Sequence, residues 1–219
     1  MAKRRPVNNP LALAVLTFLT RKPMYPYEMA SVLRSTGKDL TIKINWGSLY
    51  TVMQNLEKHG FIEEASTTRQ GGRPERTAYA ITDSGRAEMR DWLSELLGEP
   101  RQEYPLFAAA LSLVGALPPD EAIESLRRRL AALDAEIAAH RADLRTWRRQ
   151  VPRLFLIESE YLVAMRGAEA RWLRALLKDI ADGSMPEIEQ WREYHETGRF
   201  PDDLVALLEE GSPPTEHLD

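Results

Sequence analysis

The sequence predicts a mainly α-helical protein in two parts, a basic N-terminal domain of helices closed by one two-stranded hairpin and an acidic C-terminal region of long helices. Charge is segregated: residues 1–98 carry 14 Lys and Arg against 10 Asp and Glu, whereas residues 99–219 carry 15 against 23, within a chain of formal net charge -4. Two short β-rich runs flank Gly71-Gly72, the pattern of a hairpin. Farther on, apolar residues recur every three or four positions from Ile123 to Val151, the spacing of a long helix with one continuous seam.

The first helix is read from Leu11, Leu13, Ala14, Val15, Leu16, Phe18 and Leu19. It is apolar almost all round, which predicts a buried helix rather than an amphipathic one, and Arg21-Lys22-Pro23 ends it. A second helix starts with Pro26 in its first turn and runs toward Gly37. The third is expected from about Trp46 to His59, before Gly60. Leu49, Val52, Met53 and Leu56 fall at i, i+3, i+4 and i+7 and define its core face. Opposite lie Gly47, Thr51, Gln54 and Lys58, flanked by Ser48 and Asn55, and the helix's single carboxylate, Glu57, sits to the side.

A strand over Phe61–Ala65, a turn over Thr67–Arg76 and a returning strand over Thr77–Ile81 form the hairpin, with arginines concentrated at its tip. Thr82 or Asp83 then caps a fourth helix whose apolar stripe is Met89, Trp92, Leu93, Leu96 and Leu97, ending at Gly98. Three helices, a hairpin and a further helix follow the order of a winged helix-turn-helix with a two-stranded wing. Small and amide side chains let a helix enter a major groove about 12 Å wide and reach base edges, while arginines on a wing reach phosphates or the minor groove.

These residues resemble the PadR family of transcriptional regulators over roughly Leu11 to Leu97. The resemblance is carried by Gly47-Ser48-Leu49-Tyr50, Leu56-Glu57-Lys58-His59-Gly60-Phe61-Ile62, Gly71-Gly72-Arg73-Pro74 and Tyr79-Ala80-Ile81-Thr82-Asp83-Ser84-Gly85. Where the family usually has Gly-Tyr-Glu, this chain has Pro26-Tyr27-Glu28, a departure that stiffens the turn. The resemblance implies a homodimer that places its third helices in successive major grooves of a pseudopalindromic operator, usually to repress transcription. It puts Asn45, Ser48, Tyr50, Thr51, Gln54 and Lys58 at or near double-stranded DNA from the helix, and Arg69, Arg73 and Arg76 from the wing; Asn55 joins them by its place beside the polar face. Tyr50 lies between the two faces, so internal packing and a phosphate contact are both open to it. The resemblance also offers Trp92 as a stacking surface for a small aromatic effector, against ordinary packing in the apolar stripe.

The C-terminal region is expected to be an antiparallel helical or coiled-coil dimerisation domain. Ile123, Leu126, Leu130, Leu133, Ile137, His140, Leu144 and Trp147 form its seam, continued by Val151. A second helix carries Ile157, Tyr161, Met165, Ala168, Trp172, Leu176 and Ile180 from about Leu154 to Ile180, and a short helix follows over Pro186–Glu196. An intramolecular helical hairpin is the alternative to pairing between chains. His140 reads as a register-fixing polar residue or, alternatively, a pH sensor; Trp147, Tyr161 and Trp172 read as core or as the lining of a ligand cavity. The expected domains are thus 1–98, 99–198 and an acidic, proline-containing tail, 199–219, of partly disordered composition. Lys3-Arg4-Arg5 reads as an arm following the DNA backbone or as a mobile basic terminus.

Other functional classes find little support. With no cysteine and four histidines that never stand at i, i+4 or in HExxH, the chain shows no zinc-hydrolase pattern and no thiol chemistry. Gly71-Gly72-Arg73 lacks the Lys-Ser/Thr of a phosphate-binding loop, and Glu158 and Glu160, two apart on a helix, face different ways. The expectation is a non-enzyme with no metal and no cofactor, cytoplasmic and held on the nucleoid through DNA. The apolar run Leu11–Leu19 is too short to span a membrane. A protein-interaction scaffold is the competing class, and it gives no reason for arginines at the wing tip beside a face without acids.

Overall fold

The computed structural model describes residues 5–38, 41–42, 44, 46–68 and 76–199. It divides into two compact units, residues 1–103 and 104–219. The first contains helices α1 (Pro10–Leu19), α2 (Pro26–Ser35) and α3 (Trp46–Lys58), strands β1 (Ile62–Thr68) and β2 (Arg76–Ile81), and helix α4 (Asp83–Gly98).

The uniformly apolar α1 is the centre of the first unit. Its start is set by the Asn9 side chain, which accepts the Leu11 N–H at 3.0 Å, and by Pro10 at the first helical position. Leu11, Ala12, Val15, Leu16 and Leu19 are all buried, in one cluster with Met29 and Leu33 of α2, Leu49, Met53 and Leu56 of α3, Ile62 and Ile81 of the strands, and Trp92 of α4. A helix surrounded on every side needs no polar face, which is why its sequence has almost none. Helix α2 begins with Pro26, and the Glu28 carboxylate accepts the Tyr25 N–H at 3.0 Å.

The hairpin is antiparallel, pairing Ile62 with Ile81 and Glu64 with Tyr79; a bulge between Glu64 and Ser66 lets the strand continue to Thr68, beyond the expected end at Ala65. Its base is fastened twice. Met24 and Tyr79 exchange N–H···O bonds, each 3.0 Å, adding a third short strand segment from the turn before α2. The Thr82 and Ser84 hydroxyls both donate to the Gly60 carbonyl at 2.7 Å, and Thr82 also caps α4 by accepting the Gly85 N–H. In α4, Trp92 is buried and Met89 and Leu93 pack against the core, but Leu96 and Leu97 at the end of the expected stripe are exposed.

Arg5 is the single buried charged residue among the described residues. Its guanidinium bonds Glu88, Asp91 and Glu95 of α4 and lies 5.5 Å from the centre of the Trp92 ring. This corrects the reading of Arg5 as part of an arm along DNA: three carboxylates at i, i+3 and i+7 of α4 hold it in place. Lys3 and Arg4 lie outside the described residues.

The second unit contains α5 (Leu106–Ser112), α6 (Pro119–Trp147), α7 (Ile157–Ala181) and α8 (Ile188–Thr197), with short 3-10 turns at Val114–Ala116 and Arg153–Phe155. Helices α6 and α7 form an antiparallel hairpin within one chain, laced by Arg129–Glu169, Arg174–Asp134 and Arg166–Glu136. The seam expected between chains is therefore largely spent inside this one. Leu126, Leu133 and Ile137 are buried against Ala170 and Leu173, Leu144 is also buried, Leu130, Ile123 and His140 are half-buried, and only Trp147 is exposed. A short connection through Pro152 keeps α7 at a high effective concentration beside α6. The stripe expected on α7 is corrected too. The buried residues of α7 are Gly167, Ala170 and Leu173; of the expected stripe, Leu176 packs against the same cluster and Ala168 and Ile180 are half-buried, whereas Ile157, Tyr161, Met165 and Trp172 are exposed. Helix α8 is tied to the turn before α6 by Trp191 Nε1–H donating to the Leu117 carbonyl and by a 2.9 Å bond between His195 Nε2 and the Gly115 carbonyl.

Two features of the first unit make stability predictions. A Cβ built on Gly85 would lie 2.0 Å from the Phe61 carbonyl oxygen, so Gly85→Ala is expected to cost roughly 1–3 kcal/mol in chemical denaturation. Arg5→Met leaves three carboxylates facing one another and should cost on the order of 3 kcal/mol, a loss partly restored when Glu88→Gln and Glu95→Gln are added. An unaltered unfolding midpoint in Arg5→Met would contradict the ion cluster.

Candidate nucleic-acid interface

The geometry of α3 follows from its four core anchors. Leu49, Val52, Met53 and Leu56 are all buried against α1 and α2, which fixes the rotation of the helix about its axis. With that side locked, Gly47, Tyr50, Thr51, Gln54, Asn55 and Lys58 are exposed and Ser48 is half-buried. Tyr50 is 58% exposed, which decides its two readings against internal packing. Asn45 lies outside the described residues.

The exposed side of α3 is uncharged along its length except for Lys58 at the C-terminal end, where a cation also complements the helix dipole. Glu57 is half-buried rather than displayed among these residues. It belongs to the surroundings of Tyr79, whose hydroxyl pKa is raised by burial first and then by the charges of Glu57 and Glu64. The helix's one carboxylate is thus turned toward β2, leaving a surface of hydroxyl, amide and ammonium groups. Such a surface donates and accepts hydrogen bonds without repelling phosphate.

The hairpin stands beside this helix because Gly60, with φ of 70°, turns the chain directly from α3 into β1, and because the Thr82 and Ser84 bonds to its carbonyl close the base. Of the wing arginines, Arg69 and Arg73 lie outside the described residues, and Arg76 is described only in its backbone, as the first residue of β2. The structure therefore brings together the helix residues Ser48, Tyr50, Thr51, Gln54, Asn55 and Lys58 on α3, beside the base of the hairpin.

Trp92 does not take the role of a ligand platform. It is 2% exposed, enclosed by the N-terminal core with the Arg5 guanidinium against it, so an aromatic compound reaches its face only if the domain opens. The apolar stripe that suggested it is a packing stripe at this position. What the sequence did not single out is the clasp of Met24 to Tyr79, which carries no periodic signal because a single bridge needs only two backbone groups.

Comparison with known proteins places this geometry. Residues 15–91 match the model of the Transcriptional regulator PadR-like family. The chain is 35% identical over 89 residues to the probable transcriptional regulator Rv1176c of Mycobacterium tuberculosis, a match covering 40% of this chain and 46%, about half, of that relative. It is 26% identical over 129 residues to the negative transcriptional regulator PadR of Bacillus subtilis, covering 58% of this chain and 69% of the other. Among solved structures, Bacillus subtilis PadR in complex with operator DNA superposes with a TM-score of 0.63 at 20% identity, over 77% of this chain and 98% of that one. At that identity the likeness establishes the fold. The same protein in complex with p-coumaric acid gives a TM-score of 0.63 at 18% identity. Among the described residues no helix is long and apolar enough to cross a membrane. The fastened hairpin, the core-locked third helix and the matched residues have one reading: the chain carries, at residues 15–91, a domain of the PadR-like family of transcriptional regulators.

Proposed function

We propose that this protein is a sequence-specific DNA-binding regulator, a repressor that binds a pseudopalindromic operator as a homodimer, in the cytoplasm. The observation that carries the reading is the division of α3: Leu49, Val52, Met53 and Leu56 bury one side completely, and the side left in water displays Thr51, Gln54, Asn55 and Lys58 without a carboxylate. Thr51 and Gln54 face base edges, Ser48, Tyr50 and Lys58 face phosphates, Asn45 adds a contact beside the helix residues, and Arg69, Arg73 and Arg76 add contacts from the wing.

The homodimer is supported by the face of α7 that the hairpin leaves uncovered. Ile157, Tyr161, Met165 and Trp172 recur at spacings of four, four and seven residues and are each about half exposed or more, an apolar stripe on a charged helix. A second copy is the occupant that fits a two-fold operator, since a symmetric pair of α3 helices reads two half-sites. The seam of the dimer is accordingly placed on the outer face of α7, in place of the α6 positions spent within the chain. An aromatic effector remains part of this reading in kind, without Trp92 as its platform.

Binding to the DNA upstream of the gene encoding this chain, titrated with salt, tests the proposal. Specific complexes should survive excess unrelated DNA; equal, weak affinity for all sequences would refute site-specific recognition. Gln54→Ala and Thr51→Ala should each cost about 1–3 kcal/mol on the preferred site and change which bases are preferred. Lys58→Ala and Arg73→Ala should instead weaken binding to all sequences and reduce the salt slope by about one per side chain. Sedimentation of Tyr161→Glu/Met165→Glu should show monomers where the parent chain shows dimers, and an unchanged mass would move the interface elsewhere.

A further inference from the structure

We infer that the closed end of the α6–α7 hairpin is a docking site for an acidic segment, residues 202–210, of a second copy of this chain. The inference rests on the α7 pairing proposed above and adds a second contact to that dimer. Residues 141–153 carry five arginines against one acid, Asp143, in a half of the chain that is otherwise acidic. Apolar surface lies open among them, since Trp147, Leu154 and Phe155 are all exposed. A groove of about 370 Å³ at the same end is lined by Arg141, Leu144, Arg145, Arg148, Glu160 and Val163, so that aliphatic carbon from Leu144 and Val163 lies between charged groups. Such a surface suits a peptide that is itself apolar in the middle and acidic at both ends.

The charges at this end divide into a satisfied set and an open set. Glu160 takes Arg148 on one carboxylate oxygen at 3.0 Å and Arg153 on the other at 3.1 Å. Those hydrogen bonds, from Arg153 first and then Arg148, hold the Glu160 carboxyl below the usual glutamate range, so it stays ionised and committed to these partners. Arg141 and Arg145, one helical turn apart on α6, and Arg149 just past its end are exposed and make no ion pair among the described residues. Like charges at i, i+4 repel each other, and carboxylates brought by a partner relieve that repulsion.

Residues 202–210 have the complementary composition. Asp202 and Asp203 at one end and Glu209 and Glu210 at the other enclose Leu204, Val205, Leu207 and Leu208, and residues 200–219 contain no Lys or Arg. They lie outside the described residues, but the point from which they leave is fixed. His195 is bonded to the Gly115 carbonyl and Trp191 to the Leu117 carbonyl, so the chain departs from α8 at the open end of the hairpin. Helix α6 has 29 residues. At 1.5 Å rise per residue that is about 43 Å, whereas an extended chain covers at most about 3.6 Å per residue, which leaves Asp202 roughly 30 Å short of its own closed end. A second copy solves the distance. Antiparallel pairing of α7 about a two-fold axis near Met165 sets Ile157 of one copy opposite Trp172 of the other, matching the ends of the exposed stripe. The same pairing lays the open end of each hairpin alongside the closed end of the other.

The chain contains no cysteine, so introduced thiols report without background. Full-length Gln150→Cys and Ala206→Cys chains, co-expressed and treated with a bismaleimide, are expected to give a crosslinked pair containing one of each. Both positions lie outside the charged and large apolar side chains that make the contact. In chains that still sediment as dimers, the yield should fall at least tenfold when Arg141→Gln/Arg145→Gln/Arg149→Gln is added to the first chain. Adding Asp202→Asn/Asp203→Asn/Glu209→Gln/Glu210→Gln to the second should have the same effect. The contact is overturned if the mixed pair does not form or if the neutralised chains crosslink as well as their parents. It is also overturned if a chain carrying both thiols, diluted in excess thiol-free chain, crosslinks within itself, since the segment would then dock on its own hairpin. Sedimentation of the unaltered chain as a monomer would overturn the α7 dimer and this contact together, whereas a dimer without the crosslink would overturn this contact alone.

Discussion

The burial of α1 on every side is the constraint from which the N-terminal unit follows. A helix with no polar face is stable in water only when other elements surround it, and here α2, α3, the hairpin base and α4 all pack into the cluster it anchors. Their contacts determine how each element is rotated. For α3 this means that the side displaying Thr51, Gln54 and Lys58 is exposed because Leu49, Val52, Met53 and Leu56 are not. The candidate interface is in this sense a by-product of core packing, which gives it the rigidity a recognition surface requires.

Around that core, short polar fasteners set the placement of the wing. Gly60 ends α3 in the left-handed region, and its carbonyl collects two hydroxyls from the start of α4; Met24 and Tyr79 then join the hairpin to the turn before α2. Arg5 ties the N-terminal segment to α4 through three carboxylates. An arginine so placed contributes position more than net stability, because its own desolvation offsets much of its attraction to the carboxylates.

The C-terminal unit shows how a periodic pattern identifies a face without identifying its partner. Leu126, Leu133 and Ile137 of α6 are buried as their spacing requires, yet what covers them is α7 of the same chain. On α7 Ile157, Tyr161, Met165 and Trp172 are outside, while Leu173 is buried with Gly167 and Ala170 on the packed side and Leu176 packs against the same cluster. The stripe of Ile157, Tyr161, Met165 and Trp172 remains for another surface, and the arginine-lined cavity lies at the hairpin's closed end.

Local sequence was sufficient wherever a neighbour in the chain supplies the cause. The helix start at Pro26, a cap at Thr82 or Asp83, the core face of α3 and the existence of the hairpin all depend on residues within a few positions of one another. The matched family residues are local runs of the same kind. Tertiary structure alone decided the matters that turn on distant partners: that Arg5 meets α4 more than eighty residues away, that Trp92 is sealed in the core, that Tyr50 faces outward, and that the α6 seam closes on α7. The physical reason is that periodicity records how strongly a side chain avoids water, a property of the residue itself, whereas the surface that relieves it is selected by chain connectivity and by competition among all available partners.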